Sequence, residues 1–295
     1  MHADPTQRMI DGTANDLPAP LPSVTVVVLS WNGREDTLAC VESVLALDYP
    51  RFRTLVVDNA STDGTVDALR QRFGSRVDVL RNGANLLYAG GMNVGIEQAR
   101  RTGTDYVLLL NNDIVLDPGM LRALVASAAP DERIAAAGPK IYYSAEPQRL
   151  WFAGGEMSLW RGWPRHTGLR EMDRGQHDQP RDVDYLTGCA VLVRAKSFDD
   201  VGLLDAGFRM YAEDADWCLR ARAKGYRLRY APDARMWHKV SASAGARSWF
   251  KIRRRFRSQI RLLARHARWY HWLVIPAATV IEGLRITWGL STRRS

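Results

Sequence analysis

Residues 106–113 read YVLLLNND, an unbroken apolar run that ends on two amides and a carboxylate. Such a run, rich in Val and Leu, is typical of a strand buried on both faces of a parallel sheet. In open α/β sheets, ligands bind beyond the carboxyl ends of the strands. Asp113 is therefore placed where a carboxylate can hold a divalent cation together with substrate phosphates. The alternative is that Asn111, Asn112 and Asp113 form only a polar turn before a helix predicted at residues 120–128.

The same alternation of strand and helix extends on both sides of this stretch. Apolar, β-branched runs predict further strands at residues 24–29, 54–57, 77–80, 185–193 and 227–230, the last of them ended by Pro232. A first helix is predicted from a cap at Asp36 or Thr37 to about residue 47, and a second at residues 65–73. A third is predicted at residues 92–101, after a loop at residues 82–91. This order predicts an α/β fold with a doubly wound, mostly parallel sheet.

Positive charge is concentrated at the C-terminal end of the chain. The 295 residues carry a formal net charge of +9, whereas residues 247–295 hold eleven Arg and one Lys against one acid, or +11. Residues 1–246 therefore carry −2. The Arg-rich end alone would suit a nucleic acid, but a nucleic-acid-binding domain usually also presents basic residues on its folded body. We therefore expect no nucleic acid partner.

The cysteines and the N-terminal residues bear on location. Cys40, Cys189 and Cys218 are widely spaced and form no CxxC pattern, which favours neither a zinc site nor a disulfide framework and suits a reducing cytoplasm. Residues 1–22 contain four prolines and no basic start followed by an apolar core. We interpret residues 1–22 as a disordered leader, residues 23–245 as the main folded domain and residues 246–295 as a basic tail.

Four motifs follow one another in a fixed order through the first half of the chain. They are VVLSWN at residues 27–32, VVDNASTDG at 56–64, Asn85 with the glycine pair at 90–91, and LLNND at 109–113. This series resembles glycosyltransferase family 2, and the resemblance extends over roughly residues 23–245. The family comprises inverting enzymes of the GT-A fold that use nucleotide sugars. The similarity is greatest to its bacterial rhamnosyltransferase-like members.

The resemblance implies a donor site at the carboxyl ends of the first strands. Asp58 follows a strand, so its carboxylate can accept hydrogen bonds from a base or a ribose hydroxyl; the alternative is that it caps a turn. Gly90 allows close approach of the backbone to a ligand, or only a tight turn before a helix. The candidate donor-binding residues are Ser30, Asn32, Asp58, Asn85, Gly90, Asn111, Asn112 and Asp113. The implied donor is a dTDP- or UDP-sugar, with rhamnose favoured.

The resemblance also implies a metal ion. Residues 111–113 lie where the family carries an Asp-x-Asp motif, and Asn111 replaces its first Asp, so Asp113 is the only carboxylate there. His238 matches a downstream histidine of the family, although a lone histidine is more often structural. Together Asp113 and His238 are the expected ligands of Mg²⁺ or Mn²⁺.

An acid pair, Glu213 and Asp214, opens a predicted helix. Carboxylates in a first turn also favour the helix dipole, so a merely charged helix start is the alternative. Asp214 aligns with the catalytic base of the family, a role that needs an ionised carboxylate. Asp216 would point elsewhere on the helix, and we expect it towards the acceptor.

The basic tail has the pattern of an amphipathic helix. Apolar residues recur at steps of three and four, at Trp249, Ile252, Phe256, Ile260, Leu263, Ala267 and Tyr270. Residues 272–290 are apolar but are interrupted by Pro276, Glu282 and Arg285, which makes a poor membrane span. Two alternatives stay open: the helix lies on an anionic bilayer, or its stripe packs on the catalytic domain or on a second copy of the chain.

Taken together, these patterns predict an inverting, metal-dependent glycosyltransferase on the inner face of the cell membrane. It would move a sugar to a glycan or a lipid-linked acceptor in cell-surface polysaccharide synthesis. Two rivals are a nucleotidyltransferase, which would leave the acid pair at residues 213–214 without a role, and a nucleic-acid-binding protein. A homo-oligomer is compatible with the sequence.

Overall fold

The computed structural model describes residues 20–208, 210–240 and 249–278, and side chains 249–252 are left out of this description. Most of the predicted leader and residues 279–295 of the tail lie outside the described residues. The strands are β1 (Val24–Ser30), β2 (Phe52–Asp58), β3 (Asp78–Arg81), β4 (Tyr106–Asn111), β5 (Ile114–Leu116), β6 (Ile134–Tyr143), β7 (Glu146–Phe152), β8 (Gly155–Ser158), β9 (Trp163–His166), β10 (Arg181–Asp182), β11 (Ala190–Arg194) and β12 (Arg227–His238). The α-helices are α1 (Arg34–Leu45), α2 (Thr65–Phe73), α3 (Leu87–Arg101), α4 (Met120–Ala128), α5 (Ser197–Val201), α6 (Glu213–Ala223) and α7 (Trp249–His266).

In the described part of the chain, ten strands form one mixed sheet. Its order is β10-β12-β6-β11-β4-β1-β2-β3, with β5 paired to β12 and β7 to β6. The pairs β3–β2, β2–β1, β1–β4 and β6–β12 are parallel, and β11 runs antiparallel between β4 and β6. Strands β8 and β9 form a separate hairpin. The predicted α/β fold with a mostly parallel sheet is confirmed.

Strands β1, β2 and β4 end together at one edge of the sheet. The pairing sets Ser30 opposite Asp58 and Leu29 opposite Asn111. The side chains of residues 106–110 on β4 are all buried, as expected for a central parallel strand. Because the three strands are parallel and in step, the polar loops that follow them leave the sheet side by side.

Helix α3 begins at Leu87, earlier than predicted, so part of the predicted loop is helical. A Cβ added at Gly91 would lie 2.5 Å from Leu29 Cδ1, and one added at Gly95 would lie 2.4 Å from Val27 Cγ1. Glycine at these positions lets the helix pack directly on β1. The glycines that signalled a loop in the sequence therefore serve close helix–strand packing.

Two further boundaries differ from prediction. Helix α1 begins at Arg34, and Thr37 does not cap it: its Oγ1 donates to the carbonyl of Gly33, the N-cap residue, at 2.7 Å. Strand β12 continues past Pro232, because the pairing with β6 shifts register between Ala231 and Arg235. Such an irregularity leaves the proline outside the hydrogen-bonded ladder, where its missing N–H is not needed.

Helix α7 packs on the rest of the fold through a face that matches the predicted apolar stripe only in part. Phe256 and Ile260, both in the predicted stripe, are 47% and 44% exposed. The side chains of Trp249 and Ile252 lie outside the described residues. The buried positions of α7 include Ser258, Gln259, Leu262 and Leu263. Among the described residues, no helix has the length and apolar content that crossing a membrane requires.

Asp216 of α6 anchors α7. This carboxylate is fully buried, and its Oδ2 accepts a hydrogen bond from Arg220 Nε at 2.8 Å. Its Oδ1 accepts one from His266 Nε2 of α7 at 2.8 Å and lies 3.4 Å from the guanidinium of Arg265. Burial raises the pKa of Asp216, but the hydrogen bonds from His266 and Arg220 outweigh burial and lower it. Asp216 therefore binds the tail helix, and the expectation that it faces the acceptor is wrong.

Replacing Asp216 with Asn should lower the free energy of unfolding by about 3 kcal/mol, because Arg220 and His266 then face a neutral amide in a buried site. Since folding lowers the pKa of Asp216, its contribution is present above the ordinary carboxyl pKa and is lost as the pH falls through the folded value. The gap between wild type and Asp216→Asn should therefore persist at neutral pH and close in acid.

Urea unfolding of both proteins across pH measures this gap. Asp48→Asn is the matched control, because Asp48 pairs with Arg122 on the surface and should cost less than about 1 kcal/mol. Equal losses for Asp216→Asn and Asp48→Asn would contradict the anchoring role.

Candidate functional site

A cleft of about 480 Å³ opens at the carboxyl edge of the sheet. Asn111 enters it from the end of β4, His238 from the end of β12 and Asp214 from the start of α6. Arg255 and Gln259 of α7 complete the wall. The cleft thus joins groups from the strand edge, the acid-pair helix and the basic tail.

Asp113 and His238 meet beside this cleft. His238 Nε2 lies 3.2 Å from Asp113 Oδ2, because β5 pairs with β12 and sets Ile114 opposite His238. Asp113 Oδ1 and His238 Nδ1 are buried and have no hydrogen-bond partner. Burial disfavours the charged imidazolium, but contacts with Cys189 and with the Asp113 carboxylate outweigh it and raise the pKa of His238 to about 10.

The donor atoms of this pair fit a divalent cation. A carboxylate oxygen and an imidazole nitrogen are ligands that Mn²⁺ accepts, and the carboxylate also suits Mg²⁺. Because the pKa of His238 is raised, a cation that binds its ring has to displace a proton. The partnerless Oδ1 of Asp113 is a buried acceptor of the kind that a cation satisfies. Within residues 20–208, 210–240 and 249–278, no group of three or more His, Cys, Asp and Glu could hold a metal. The remaining ligands would have to be substrate oxygens and water.

The start of α6 holds Asp214 in a fixed position. Its Oδ2 accepts the backbone N–H of Gly188 at 2.9 Å, and its Oδ1 accepts that of Ala215 at 2.8 Å. The two residues just before α6, Tyr211 and Ala212, have φ of 71° and 68°. These angles lie in the left-handed region, which residues other than glycine rarely adopt. Strained backbone of this kind is commonly kept at functional sites.

Burial separates the roles of the two acids. It raises the pKa of Asp214, against the effect of its backbone hydrogen bonds, which favour the carboxylate. Two effects raise the pKa of Glu213: burial, which is the larger, and the nearby charge of Asp214. The Oε2 atom of Glu213 has no hydrogen-bond partner among the described residues. Asp214 is therefore the acid of the pair whose carboxylate is stabilised by backbone N–H groups, whereas the pKa of Glu213 is raised to about 8.

Two predicted donor-site residues, Ser30 and Asn112, are joined through Thr37. Thr37 Oγ1 lies 2.8 Å from Ser30 Oγ and accepts a hydrogen bond from Asn112 Nδ2 at 2.9 Å. These bonds tie the loops after β1 and β4 to the first turns of α1. The bond from Asn112 to Thr37 fixes the Asn111–Asp113 turn in addition to the contact between Asp113 and His238.

Asp58 has one satisfied oxygen and one free one. Its Oδ2 accepts the backbone N–H of Ser61 at 2.9 Å and lies 3.8 Å from Arg81 Nε, whereas Oδ1 is buried without a partner. A buried carboxylate oxygen without a donor is costly unless a ligand or water satisfies it. The turn-capping and ligand-binding alternatives are thus compatible, because they use different oxygens.

The other predicted donor-site residues brace the neighbouring loops. Asn32 Oδ1 accepts the N–H of Thr62, and Asn85 Oδ1 accepts the N–H of Leu87, both at 2.8 Å. Gly90 lies in the first turn of α3, not in a loop. The structure brings Asn111, Asp214 and His238 onto one cleft. The other predicted site residues do not line it, namely Ser30, Asn32, Asp58, Asn85, Gly90, Asn112 and Asp113.

Several lining groups have no counterpart among the predicted site residues. Tyr88 donates its hydroxyl to the carbonyl of Gly188, whose N–H holds Asp214. His166 lines the cleft as a neutral base, because burial lowers its pKa to about 4. Trp163 and Arg255 also line it. Gly188 lies in residues 185–189, which were predicted as part of a strand but precede β11 as a loop.

Comparisons with known proteins agree with this geometry. Residues 22–260 match the model of the family described as glycosyltransferase like family 2. The chain is 32% identical over 270 residues to N-acetylglucosaminyl-diphospho-decaprenol L-rhamnosyltransferase of Mycobacterium tuberculosis, covering 85% of this chain and 86% of that protein. It is 23% identical to the low-salt glycan biosynthesis hexosyltransferase Agl10 of Haloferax volcanii, covering 75% and 68%.

Solved structures share the fold. GalNAc-T7 with UDP, GalNAc and Mn²⁺ superposes with a TM-score of 0.61 at 18% identity, over 75% of this chain and 44% of that one. The mannosyltransferase PcManGT from Pyrobaculum calidifontis, in complex with GDP-Man and Mn²⁺, gives a TM-score of 0.57 at 17% identity, over 93% and 78%. Both solved structures contain Mn²⁺ and a nucleotide or nucleotide sugar.

Proposed function

This chain belongs to glycosyltransferase-like family 2, and we propose that it is an inverting rhamnosyltransferase. Its donor would be a nucleoside diphosphate rhamnose, and its acceptor a sugar carried on a polyprenyl diphosphate in cell-wall or surface-polysaccharide synthesis. The relative from Mycobacterium tuberculosis, named for such an acceptor, supports this choice at 32% identity. The observation that carries the proposal is the single cleft shared by Asp214, Asn111 and His238.

The reaction needs one displacement at the anomeric carbon. An acceptor hydroxyl oxygen forms a bond to that carbon while the bond from carbon to the diphosphate oxygen breaks, and the nucleoside diphosphate leaves with the electron pair. The proton of the hydroxyl moves to Asp214, whose carboxylate is held by the N–H groups of Gly188 and Ala215. A single displacement inverts the configuration, so no side chain has to act as a nucleophile.

The donor would lie along the edge formed by β2, β1 and β4. Asp58 Oδ1, a buried acceptor without a donor, would bind the base or the ribose. Ser30, Asn32, Asn85 and Gly90, at the neighbouring strand ends, would contact the nucleoside. Asn111 and Asn112 would face the diphosphate, next to Asp113.

Asp113 and His238 would hold a divalent cation, Mn²⁺ or Mg²⁺. When bound, the cation neutralises charge on the diphosphate. The protein's contribution is to keep the carboxylate and the imidazole together at 3.2 Å through the pairing of β5 with β12. The Mn²⁺ ions in GalNAc-T7 and PcManGT support this assignment.

The outer side of the tail would bind the inner face of the membrane. In the described part of the tail, six large apolar side chains are 41% or more exposed, namely Phe256, Ile260, Trp269, Trp272, Leu273 and Val274. Exposed apolar groups beside arginines are typical of a helix that lies on an anionic bilayer. The described structure thus leaves room for both alternatives: one face of α7 packs on the domain, and the other stays available to lipid.

Wild-type protein incubated with dTDP-rhamnose and an N-acetylglucosaminyl-diphospho-polyprenol should release dTDP and yield a rhamnosylated lipid with inverted anomeric configuration. Asp214→Asn should lower kcat by ~10²–10⁴-fold, because it removes the general base. Glu213→Gln is the matched control and should stay near wild type, because Gln mimics the protonated acid. Since burial raises the pKa of Asp214, kcat should fall on the acid side at a pH above the ordinary carboxyl range.

Nucleotide analysis of the products and pH–rate profiles measure these outcomes. Release of pyrophosphate would instead support nucleotidyl transfer. An Asp214→Asn variant as active as Glu213→Gln would mean that another group is the base.

Asp113→Ala should abolish the stabilisation of the protein by dTDP with Mn²⁺, and His238→Ala should weaken it, because each removes one ligand of the cation. Thermal unfolding with dTDP, with and without Mn²⁺, measures this effect. Asp36→Ala is the control, because Asp36 lies at the start of α1 and its carboxylate pairs with the exposed Lys239. Full stabilisation by dTDP in excess chelator would contradict a metal-assisted donor site.

The double substitution of Phe256 and Ile260 by Ser should weaken binding to anionic vesicles by about tenfold or more, because it removes exposed apolar area. Wild-type binding should be lost on neutral vesicles and only partly released by salt, which screens the arginines but not the apolar contacts. Leu169→Ser, at an apolar position of similar exposure far along the chain, should bind as wild type. Vesicle co-sedimentation measures all three, and a chain that ignores vesicles of any charge would exclude the membrane role.

A further inference from the structure

Arg255 is a cation of the tail helix that faces the cleft. Its guanidinium lies 5.8 Å from the ring centroid of Trp163, and both side chains line the cleft. Its positive charge reaches the interior, because it is among the causes that lower the pKa of His166 and oppose the raised pKa of Tyr185. The basic tail therefore contributes a charge to the site itself, not only to the outer surface.

Three arginines of α6 and α7 have carboxylate partners. Arg261 and Arg265 both bind Asp205, and Arg220 binds Asp216. In the part of the chain that the structure describes, no carboxylate lies within ion-pair distance of Arg255. A cation that lines a cleft without an anionic partner is a ready site for an anionic ligand group.

The remainder of α7 keeps Arg255 in place. Ser258 Oγ, three residues along the helix, donates to the carbonyl of Met210 at 2.8 Å, and Gln259 donates its amide to the carbonyl of Gly162. Together with the buried Asp216, these contacts dock the helix against both walls of the cleft. A guanidinium held on a docked helix binds a phosphate with less loss of conformational entropy than a free surface arginine.

Two diphosphates take part in the proposed reaction, and they need separate cationic groups. The donor diphosphate has its place at Asp113 and His238, on the strand edge. Resting on the proposed function, we infer that Arg255 binds the diphosphate of the lipid-linked acceptor. The exposed Phe256 follows it directly and Ile260 lies about one turn further, so an apolar surface on which a prenyl chain can lie begins at the same place.

This inference makes α7 the element that selects an acceptor with a diphosphate next to its sugar. Arg255 is a binding residue in this role, and Asp214 takes the proton independently of it. The kinetic consequence is a change in KM for the acceptor, with KM for the donor unchanged.

Geranyl diphosphate is a soluble probe of the site. In metal-free buffer, titration calorimetry should show that geranyl diphosphate binds to the wild type. Its affinity for Arg255→Gln should be lower by roughly 10–100-fold, because the substitution removes a charge-assisted contact. Arg255→Lys should recover part of the affinity, because it keeps the charge without the planar fork. Arg257→Gln, an exposed arginine two residues along α7 that does not line the cleft, should bind as wild type. Circular dichroism confirms that each variant is folded.

Steady-state kinetics supply the second readout. With the N-acetylglucosaminyl-diphospho-polyprenol acceptor, Arg255→Gln should raise KM for the acceptor by a similar factor, while KM for dTDP-rhamnose stays unchanged. Equal affinity of wild type and Arg255→Gln for geranyl diphosphate would overturn the inference, and so would a rise in KM for the donor instead. Failure of the wild type to transfer rhamnose would count against the proposed function alone, because the calorimetry does not depend on turnover.

Discussion

The parallel register of β1 with β2 and β4 is the constraint on which the site depends. It sets Ser30 beside Asp58 and Leu29 beside Asn111, so three polar loops leave the sheet at one edge. A slip of one residue would turn every side chain of a strand to the opposite face. The buried side chains on both faces of β4 make such a slip unfavourable, and the close packing of α3 on β1 adds to this. The positions of the Asn111–Asp113 turn and of Asp58 therefore follow from apolar packing well away from any ligand.

The second half of the chain completes this edge by contacts that are distant in sequence. Strand β12 brings His238 to Asp113, and α6 brings Asp214 to the loop at Gly188. Helix α7 then joins the assembly through Asp216, a buried carboxylate that binds groups of both α6 and α7. A charge buried in this way is stabilising only while all its partners are present. The helix that carries the proposed base is thus fixed at its first turn from two sides.

Much of the fold is predictable from local pattern, because a buried parallel strand and an apolar helix face leave periodic signals. The four N-terminal strands, α2 and α4 are confirmed. The structure also places His238 3.2 Å from Asp113, and the metal site that the family resemblance implied for this pair stays a prediction. The start of α3 was missed because glycine is usually read as a turn residue, whereas here it allows close packing. The docking face of α7 was missed because it includes Ser258 and Gln259, whose polar groups are satisfied by distant carbonyls that no local pattern reveals. The position of Arg255 could not be predicted for the same reason.

The docked position of α7 links events at the two faces of that helix. Docking and undocking form an equilibrium, and one ligand that prefers the docked state raises its population for every other ligand. If docking of α7 strengthens acceptor binding at Arg255, then acceptor binding strengthens the docking of α7 on α6. By thermodynamic reciprocity, the two effects are equal in free energy. Contacts on the outer face of α7 that favour docking would add to the same equilibrium. The anchor at Asp216 is therefore a point of coupling through which the surroundings of the tail set the fraction of molecules with a complete cleft.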